Sequence, residues 1–174
     1  MNIRPVEVAD AKQLLAIYTP YVLNTAITFE TEIPTIEEFE RRIEETQSSH
    51  PYLVAEEKGQ IVGYAYAHAY YGRAAYAWTV EVSIYVDQGA RVKGIGTALY
   101  DRLEELLIEQ GMTQALACVS LPNEASIQFH QKRGYEEVAH FKKVGYKLGQ
   151  WRDIVWLQKE LQDIVNPTES PREN

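Results

Sequence analysis

The chain has 174 residues, 45% of them hydrophobic, and a formal net charge of −8, so one ordinary globular domain is expected and the body of the chain is not expected to be disordered. The acidic balance argues against a nucleic-acid-binding module, because such a module presents a basic face to phosphates. One cysteine cannot form an internal disulfide, no run of about 18 apolar residues could span a membrane, and no signal peptide is visible, so we expect a cytoplasmic protein.

The N-terminal part of the chain is predicted to form a strand, a helix and a loop. Residues 2–8 carry spaced apolar side chains and read as a short strand. Residues 9–25 have apolar side chains at helical spacing, although Pro20 should kink or end this helix because its ring clashes with the preceding turn. Residues 24–34 contain turn-forming residues without a helical period, so we expect a loop there.

A second helix is predicted to begin after Thr35. Thr35 and Glu38 stand three residues apart, which is the spacing of a capping box. Within the helix, the i, i+4 spacing would pair Glu37 with Arg41 and Glu38 with Arg42. The surrounding stretch is strongly acidic, and we interpret this charge as a solvated helix face, with an acidic docking site as the alternative.

The middle of the chain alternates strands with turns. Residues 52–56 and 61–71 are predicted as strands joined by a turn at 57–60. Residues 77–87 give the clearest strand pattern of the sequence, because apolar and polar side chains alternate along it. One face of this strand carries Val80, Val82, Ile84 and Val86, and the other carries Glu81, Ser83, Tyr85 and Asp87.

The clearest helix of the sequence covers residues 94–110. Its leucines fall on one side, and Gly111 directly after it is typical of a helix end. Residues 114–120 are predicted as a short buried strand. Within this strand, Cys118 is interpreted as a small core residue.

The C-terminal part is predicted to add one helix and two strands. Asn123 should cap a helix that runs to about residue 133, and strands should follow at 135–144 and 152–161. We expect one domain over residues 1–162 and a mobile tail over residues 163–174, which lacks an apolar anchor. The resulting order of elements, β-α-α-β-β-β-α-β-α-β-β, favours an α/β fold with a mixed sheet covered by helices on both sides.

The glycine-rich junction at residues 91–97, before the clearest helix, contains neither of two common nucleotide-binding motifs. A P-loop requires Lys after its second glycine; Gly89 and Gly94 have the right separation, but Ile95 occupies the lysine position. A dinucleotide-binding fingerprint requires a third glycine, and Leu99 stands there.

The junction can still bind an anion. The first turn of a helix has N–H groups without partners and a partial positive charge, and Gly94 and Gly96 would let a diphosphate approach that turn. Arg91 and Lys93 add cationic side chains in a protein that is acidic overall. The residues therefore suit a pyrophosphate, and an ordinary loop with glycine at a tight turn remains the alternative.

Five motifs carry a resemblance to a known family. In chain order, they are Phe29-Glu30-Thr31-Glu32-x-Pro34, Arg73-x-x-Tyr76-x-Trp78-Thr79-x-Glu81, Arg91-x-x-Gly94-x-Gly96, Asn123 with Lys132-Arg133-Gly134-Tyr135, and Gly145-Tyr146-Lys147-x-Gly149-x-Trp151-x-Asp153. Over residues 2–161 the chain resembles the N-acetyltransferases of the GNAT superfamily, and in particular the branch that acts on phosphinothricin and methionine sulfoximine.

The resemblance implies the fold and the partners of the protein. It implies a mixed, mostly antiparallel sheet flanked by helices on both faces, acetyl-CoA as cosubstrate and a homodimer. Pantetheine would pair with the backbone of the strand at residues 82–86, the pyrophosphate would lie on the junction, and Asn123 would contact the cosubstrate near its thioester. The implied acetyl-CoA-binding residues are Ser83, Ile84, Tyr85, Val86, Arg91, Val92, Lys93, Gly94, Ile95, Gly96, Thr97 and Asn123.

The resemblance also implies two catalytic residues. Glu81 would be the base that removes a proton from the acceptor amine, whereas the residues alone favour a solvent-facing glutamate. His130 would protonate the departing thiolate or assist the base, although a lone histidine on a helix is more often structural. His50, His68 and His140 show no metal-ligand spacing, so no metal is expected.

The implied acceptor is a small amino acid with an acidic side chain or a tetrahedral sulfur or phosphorus head group. Arg73 and Lys147 would bind its oxygens. Other L-amino acids or peptide N-termini are the alternative substrates, and a non-catalytic acyl-CoA-binding module is the alternative class of protein. The implied acceptor-binding residues are Phe29, Arg73, Tyr76, Trp78, Thr79 and Lys147.

Overall fold

The computed structural model describes residues 1–167 and 169–172. The predicted order of strands and helices is confirmed in these residues, with two additional short 3₁₀ turns. The elements are β1 (Asn2–Pro5), α1 (Ala11–Asn24), α2 (Ile36–Gln47), β2 (Tyr52–Glu57), β3 (Gln60–Ala69), β4 (Thr79–Val86), α3 (Ile95–Gln110), β5 (Gln114–Ser120), α4 (Glu124–Lys132), β6 (Glu136–Lys147) and β7 (Gln150–Glu160).

The strands form one seven-stranded sheet in the order β1-β2-β3-β4-β5-β7-β6 over the described ranges. β4 and β5 run parallel, and the other neighbouring strands run antiparallel. The expectation of a mixed, mostly antiparallel sheet is therefore confirmed. The parallel pair lies in the middle of the sheet.

Helices cover both faces of the sheet, as predicted. Leu53 and Ala55 of β2 point into a core that α3 covers, with Leu99 and Leu103 fully buried. Tyr52 and Val54 of the same strand, together with Tyr64 of β3, point into a second core under α1 and α2. Because successive side chains of a strand point to opposite faces, the two cores lie on opposite sides of the sheet.

Pro20 does not end α1, which continues to Asn24. The buried side chains of Leu14, Ile17 and Val22 lie on both sides of the proline and pack into the core under α1 and α2. Packing of these side chains outweighs the local cost of proline, as tertiary context commonly outweighs propensity.

The capping signal of α2 is confirmed, but only one of its two predicted ion pairs forms. The Thr35 hydroxyl accepts a hydrogen bond from the Glu38 N–H at 3.1 Å, and Glu38 pairs with Arg42 at 2.6 Å. The predicted pairing of Glu37 with Arg41 is wrong, since Arg41 lies 3.5 Å from Glu45 instead. Both arrangements satisfy the same i, i+4 spacing, so the sequence alone did not distinguish them.

The C-terminal segment contacts the end of α3 where it is described. The Arg172 N–H donates to the Gln110 carbonyl at 2.9 Å, and residues within 163–167 and 169–172 border a surface depression of about 290 Å³ beside Trp78. Residues 168, 173 and 174 of the predicted mobile tail lie outside the described residues, and its mobility stays a prediction. Among the residues described, no helix is both long and apolar enough to cross a membrane.

Candidate functional site

The sheet opens between its two parallel strands. β4 and β5 pair only through Thr79, Val80 and Glu81 on β4, which lie opposite residues 114–116 of β5. Beyond Glu81, β4 keeps its pairing with β3, but no other described strand pairs with its β5 side, where a cavity of about 60 Å³ lies and the Val86 carbonyl accepts a hydrogen bond from the Tyr21 hydroxyl at 2.6 Å. An unpaired strand edge presents a row of N–H and C=O groups, which an extended amide chain can bind by adding to the sheet.

The opening continues along α4 as a second cavity of about 280 Å³. The two cavities share Ile27, Ile84, Asn123 and Ser126, so they form one cleft from the gap between the strands to the start of α3. Six of the predicted acetyl-CoA-binding residues line this cleft, namely Ser83, Ile84, Tyr85, Val86, Gly96 and Asn123.

The glycines at the start of α3 have two different functions. Gly94 adopts a left-handed conformation with φ of 81°, and a Cβ at this position would meet no heavy atom of the described residues within 4 Å. The backbone is therefore open to solvent at the first turn of a 16-residue helix, where N–H groups lack partners. A Cβ at Gly96 would lie only 3.3 Å from Phe129 and 3.4 Å from Ile84, so glycine is needed there for close packing.

The other junction residues divide into surface and core. Arg91, Lys93 and Thr97 are exposed, and neither Arg91 nor Lys93 forms an ion pair with another described residue. Ile95, by contrast, is buried in the core under α3, so only its backbone could face a ligand. Val92 packs partly against the same core. The junction thus combines two free cations with the open end of a helix, which is an arrangement that favours anions.

Glu81 lies at the point where the two strands separate. It is the last β4 residue that pairs with β5, and its side chain is 25% exposed. Partial burial raises the pKa of Glu81 above its usual range, and the charge of nearby His68 opposes this shift. A carboxylate with a raised pKa binds a proton more readily than an exposed one, as a general base requires.

His130 on α4 is 3% exposed and lines the smaller cavity. Its Nδ1 lies 2.8 Å from the Ser126 carbonyl, which can only accept, so Nδ1 carries the proton and Nε2 accepts from the Tyr100 hydroxyl at 3.0 Å. Burial lowers the pKa of His130, so the ring is neutral at neutral pH. A neutral ring with both nitrogens engaged is suited to holding α4 in place.

Lys147 lies beneath the loop between α1 and α2. Its side chain is buried, and its ammonium donates to the Thr28 carbonyl at 2.8 Å and to the Tyr21 carbonyl at 3.4 Å. Burial lowers the pKa of Lys147. These bonds fasten the loop to the end of α1, and Phe29 of that loop packs against Gly145, where no side chain would fit.

The other predicted acceptor-binding residues lie near the connection from β3 to β4. Arg73 is exposed and Tyr76 packs edge-on against Tyr70 with ring centroids 5.6 Å apart. Thr79 begins the parallel pairing of β4 with β5. Trp78 borders the depression at the end of α3, and the structure does not bring it together with Glu81.

The structure corrects one residue and adds another. Cys118 is exposed and lines the smaller cavity, so its interpretation as a core residue is wrong. Arg152 of β7 was missed: it lies on the same face of the sheet as Ser120, which borders that cavity, and its Nε is buried without a hydrogen-bond partner among residues 1–167 and 169–172. Only the strand register places these two residues, and no sequence motif marks them.

The comparisons with known proteins agree with this geometry. The family model described as an acetyltransferase (GNAT) domain matches residues 3–156, which is most of the chain. The chain belongs to the GNAT acetyltransferase family. It is an N-acetyltransferase, so the predicted family and class of enzyme are confirmed, and the alternative of a non-catalytic module is set aside.

Relatives of this GNAT enzyme share about a third of its residues. A phosphinothricin N-acetyltransferase of Streptomyces viridochromogenes is 34% identical over 93% of this chain and 88% of the relative. An L-methionine sulfoximine/L-methionine sulfone acetyltransferase of Pseudomonas aeruginosa is 34% identical over 97% of both chains. A phosphinothricin acetyltransferase of Sinorhizobium meliloti, solved in complex with acetyl-CoA, superposes with a TM-score of 0.93 at 35% identity, covering 98% of this chain and 94% of that one.

Proposed function

We propose that this GNAT enzyme transfers acetyl from acetyl-CoA directly to the α-amino group of an amino acid of the phosphinothricin, methionine sulfoximine or methionine sulfone type. One observation carries the proposal: β4 and β5 separate directly after Glu81, so a carboxylate of raised pKa stands at the inner end of an open strand edge. The names of the relatives support the class of acceptor.

The cleft supports a definite position for acetyl-CoA. Pantetheine is an extended amide chain and would add to the free edge of β4 at residues 83–86. Its pyrophosphate would accept hydrogen bonds from the open first turn of α3 and meet Arg91 and Lys93. Asn123, whose side chain accepts from the Ser126 N–H at 3.2 Å, borders both parts of the cleft and would lie beside the thioester.

The chemistry requires a base because an ammonium group has no lone pair. Removing a proton at pH 7 costs roughly 1 kcal/mol for an α-amino group of pKa ~7.8 and roughly 4.6 kcal/mol for a lysine amine of pKa ~10.4. Glu81 would accept this proton, directly or through a water molecule, before the amine attacks the thioester carbon. The lower cost for an α-amino group favours a free amino acid over a lysine side chain.

Recognition of the acceptor is proposed to involve two arginines. The ammonium of Lys147 donates to backbone carbonyls, so it supports the loop between α1 and α2. Other groups would then bind the anionic part of the acceptor. Arg73 and Arg152 form no ion pair with another described residue and are free to bind carboxylate or phosphinate oxygens. Arg152→Gln should therefore weaken binding of an anionic acceptor more than binding of a neutral one, and equal losses in KM would contradict this role.

Binding of coenzyme A is expected to protect Cys118. The chain has one cysteine, its thiol borders the proposed thioester position, and burial beside Glu81 raises the pKa of this thiol to about 11. Alkylation by a maleimide at mildly alkaline pH should slow about tenfold when coenzyme A is present at ten times its Kd, because about a tenth of the sites are then empty. Mass spectrometry measures the rate, Cys118→Ser gives the background, and an unchanged rate would place coenzyme A elsewhere.

A homodimer is also proposed for this enzyme. β6 is one of the two edge strands of the sheet, and the hairpin of β6 and β7 exposes apolar side chains that a second copy would cover. These side chains are Val138, Phe141, Val144, Tyr146, Leu148 and Trp151. Light scattering should give twice the 19.9 kDa of one chain, and a monomer mass would contradict the proposal.

The proposed function is tested with a panel of amines. The protein is mixed with acetyl-CoA and phosphinothricin, methionine sulfoximine, methionine sulfone, ordinary L-amino acids or a short peptide, and the release of free thiol is followed. The highest kcat/KM is expected with the first three. A preference for ordinary amino acids or the peptide would contradict the proposed class of acceptor and indicate another GNAT specificity. Coenzyme A binding without thiol release would contradict the proposed reaction.

A further inference from the structure

A histidine lies beside the proposed base, directly across the strand pair. His68 of β3 is the cross-strand partner of Glu81, and its Nε2 lies 3.8 Å from the carboxylate Oε2. The Nδ1 of His68 lies 3.0 Å from the Ala69 carbonyl, which can only accept. The proton of the neutral ring is therefore assigned to Nδ1, and the lone pair of Nε2 is left on the side of Glu81.

The two side chains differ in their access to solvent. The Glu81 side chain is 25% exposed and the His68 side chain is 42% exposed. Glu81 forms no side-chain hydrogen bond to any described residue, and among those residues His68 is the one basic side chain within 4 Å of its carboxylate. A proton on Glu81 can therefore pass to His68, which is the more exposed of the two side chains.

Turnover requires that Glu81 lose the proton it has accepted. Partial burial disfavours the charged carboxylate, so the return to the charged form is the costly step. A neighbouring imidazolium favours that charged form. A histidine at this position is thus suited both to accept the proton and to restore the base.

We propose that His68 is a positioning residue that acts through Glu81. It takes from Glu81 the proton that the substrate amine has lost, and it passes this proton to solvent. The proton leaves the amine nitrogen for Glu81 Oε2, moves from Oε2 to the lone pair of His68 Nε2 once side-chain rotation shortens their 3.8 Å separation to hydrogen-bond distance, and leaves the resulting imidazolium for water. Glu81 returns to the carboxylate and His68 to the neutral ring, so one proton passes from amine to solvent in each turnover. The relay rests on the proposed function of Glu81.

Four other titratable groups interact electrostatically with Glu81 or His68, and none of the four carries charge at neutral pH. Burial raises the pKa of the tyrosines Tyr66 and Tyr70, and it raises the pKa of the Cys118 thiol to about 11. His50, after α2, has its pKa lowered by burial and by the charge of His68. At neutral pH these four groups are uncharged, so a change in pH profile on removing His68 reports on His68 and Glu81.

The relay is tested with His68→Gln and a matched control, His140→Gln. His140 is another partly exposed histidine beside a carboxylate, with its Nε2 2.8 Å from Asp153 Oδ2 on the β6–β7 hairpin. We expect His68→Gln to lower kcat about tenfold in dilute buffer, to recover when imidazole is added, and to move the acid limb of kcat/KM to higher pH. His140→Gln should behave like the unmodified enzyme in all three measurements.

Two results would overturn the relay, and they differ from each other. If the unmodified enzyme is active but His68→Gln keeps its rate, or loses rate that imidazole does not restore, the relay is wrong and the role of Glu81 stands. If the unmodified enzyme releases no thiol with any amine, the proposed function fails and the relay with it. Carboxyl ¹³C NMR adds a readout independent of activity, because loss of the imidazolium should raise the pKa of Glu81.

Discussion

Replacing Glu81 with Gln should lower kcat/KM about 100- to 1,000-fold at neutral pH, which is within the usual range for removing a general base. The loss should be largest at low pH and should shrink as the pH approaches the pKa of the acceptor amine. Without a base, the rate follows the fraction of amine that is already deprotonated, and this fraction rises tenfold per pH unit below that pKa. Thiol release at saturating acetyl-CoA, measured across pH, gives the comparison.

The control for this variant is Glu56→Gln. Glu56 is also a partly buried strand glutamate, with 31% of its side chain exposed, but it lies on β2 and pairs with Arg4 at 3.0 Å, away from the cleft. Glu56→Gln should keep full activity. A variant Glu81→Gln with normal rates across pH would remove Glu81 as the base.

Stability separates a catalytic from a structural role of Glu81. The folded state raises the pKa of this carboxyl, so its contribution to stability is present below the unfolded pKa and is lost as the pH rises through the folded pKa. At neutral pH the ionised Glu81 therefore lowers the free energy of unfolding, and Glu81→Gln should not lower Tm. A large fall in Tm together with the loss of rate would indicate misfolding instead.

Replacing Gly94 with Val should weaken binding of coenzyme A about 10- to 100-fold, with a corresponding rise in the KM for acetyl-CoA and little change in kcat. The Cβ branch would occupy space that is empty in the structure, at the open first turn of α3. Loss of one charge-assisted hydrogen bond to a phosphate is worth roughly 1.5–3 kcal/mol, which gives this range of affinity. Calorimetry with coenzyme A measures the effect without relying on activity.

Gly59→Val is the matched control for backbone strain. Gly59 lies in the turn between β2 and β3 with φ of 79°, close to the 81° of Gly94, and a Cβ there also meets no heavy atom of residues 1–167 and 169–172 within 4 Å. Both variants place a β-branched residue in the left-handed region, so both should lose similar stability. Equal effects of the two variants on coenzyme A affinity would show that strain, and not a blocked anion site, is responsible.

Local signals predicted most of the elements well. Thr35 with Glu38, Gly94, Gly111 and Asn123 mark helix ends through bonds and conformations that involve only neighbouring residues, and the structure has helix ends at all four places. Distant groups decide the rest. Pro20 was expected to kink or end α1, and it does not end the helix because side chains on both sides of it are buried against the sheet.

Residues of the candidate site could be predicted from the sequence only where they belong to a recognisable motif. The glycine junction was singled out by the spacing of its glycines, whereas Glu81 was assigned as the base only through the family resemblance, and both roles stay predictions. Lys147 was assigned to the acceptor from its motif, yet the structure buries its ammonium against the carbonyls of Thr28 and Tyr21, more than a hundred residues away in the chain. Cys118 was read as core because its strand is apolar, although the exposure of its thiol depends on the gap beside β4.

The sequence by itself determined the order of the elements, the glycine-opened start of α3 and the face of β4 that carries Glu81, because each depends on neighbours within a few residues. Only the tertiary structure decided that β4 and β5 separate after Glu81, that His68 lies opposite it and that Arg152 shares the face of the cleft. These relations depend on strand register. Register joins segments far apart in the chain, and it is set by which side chains of the whole sheet are buried together.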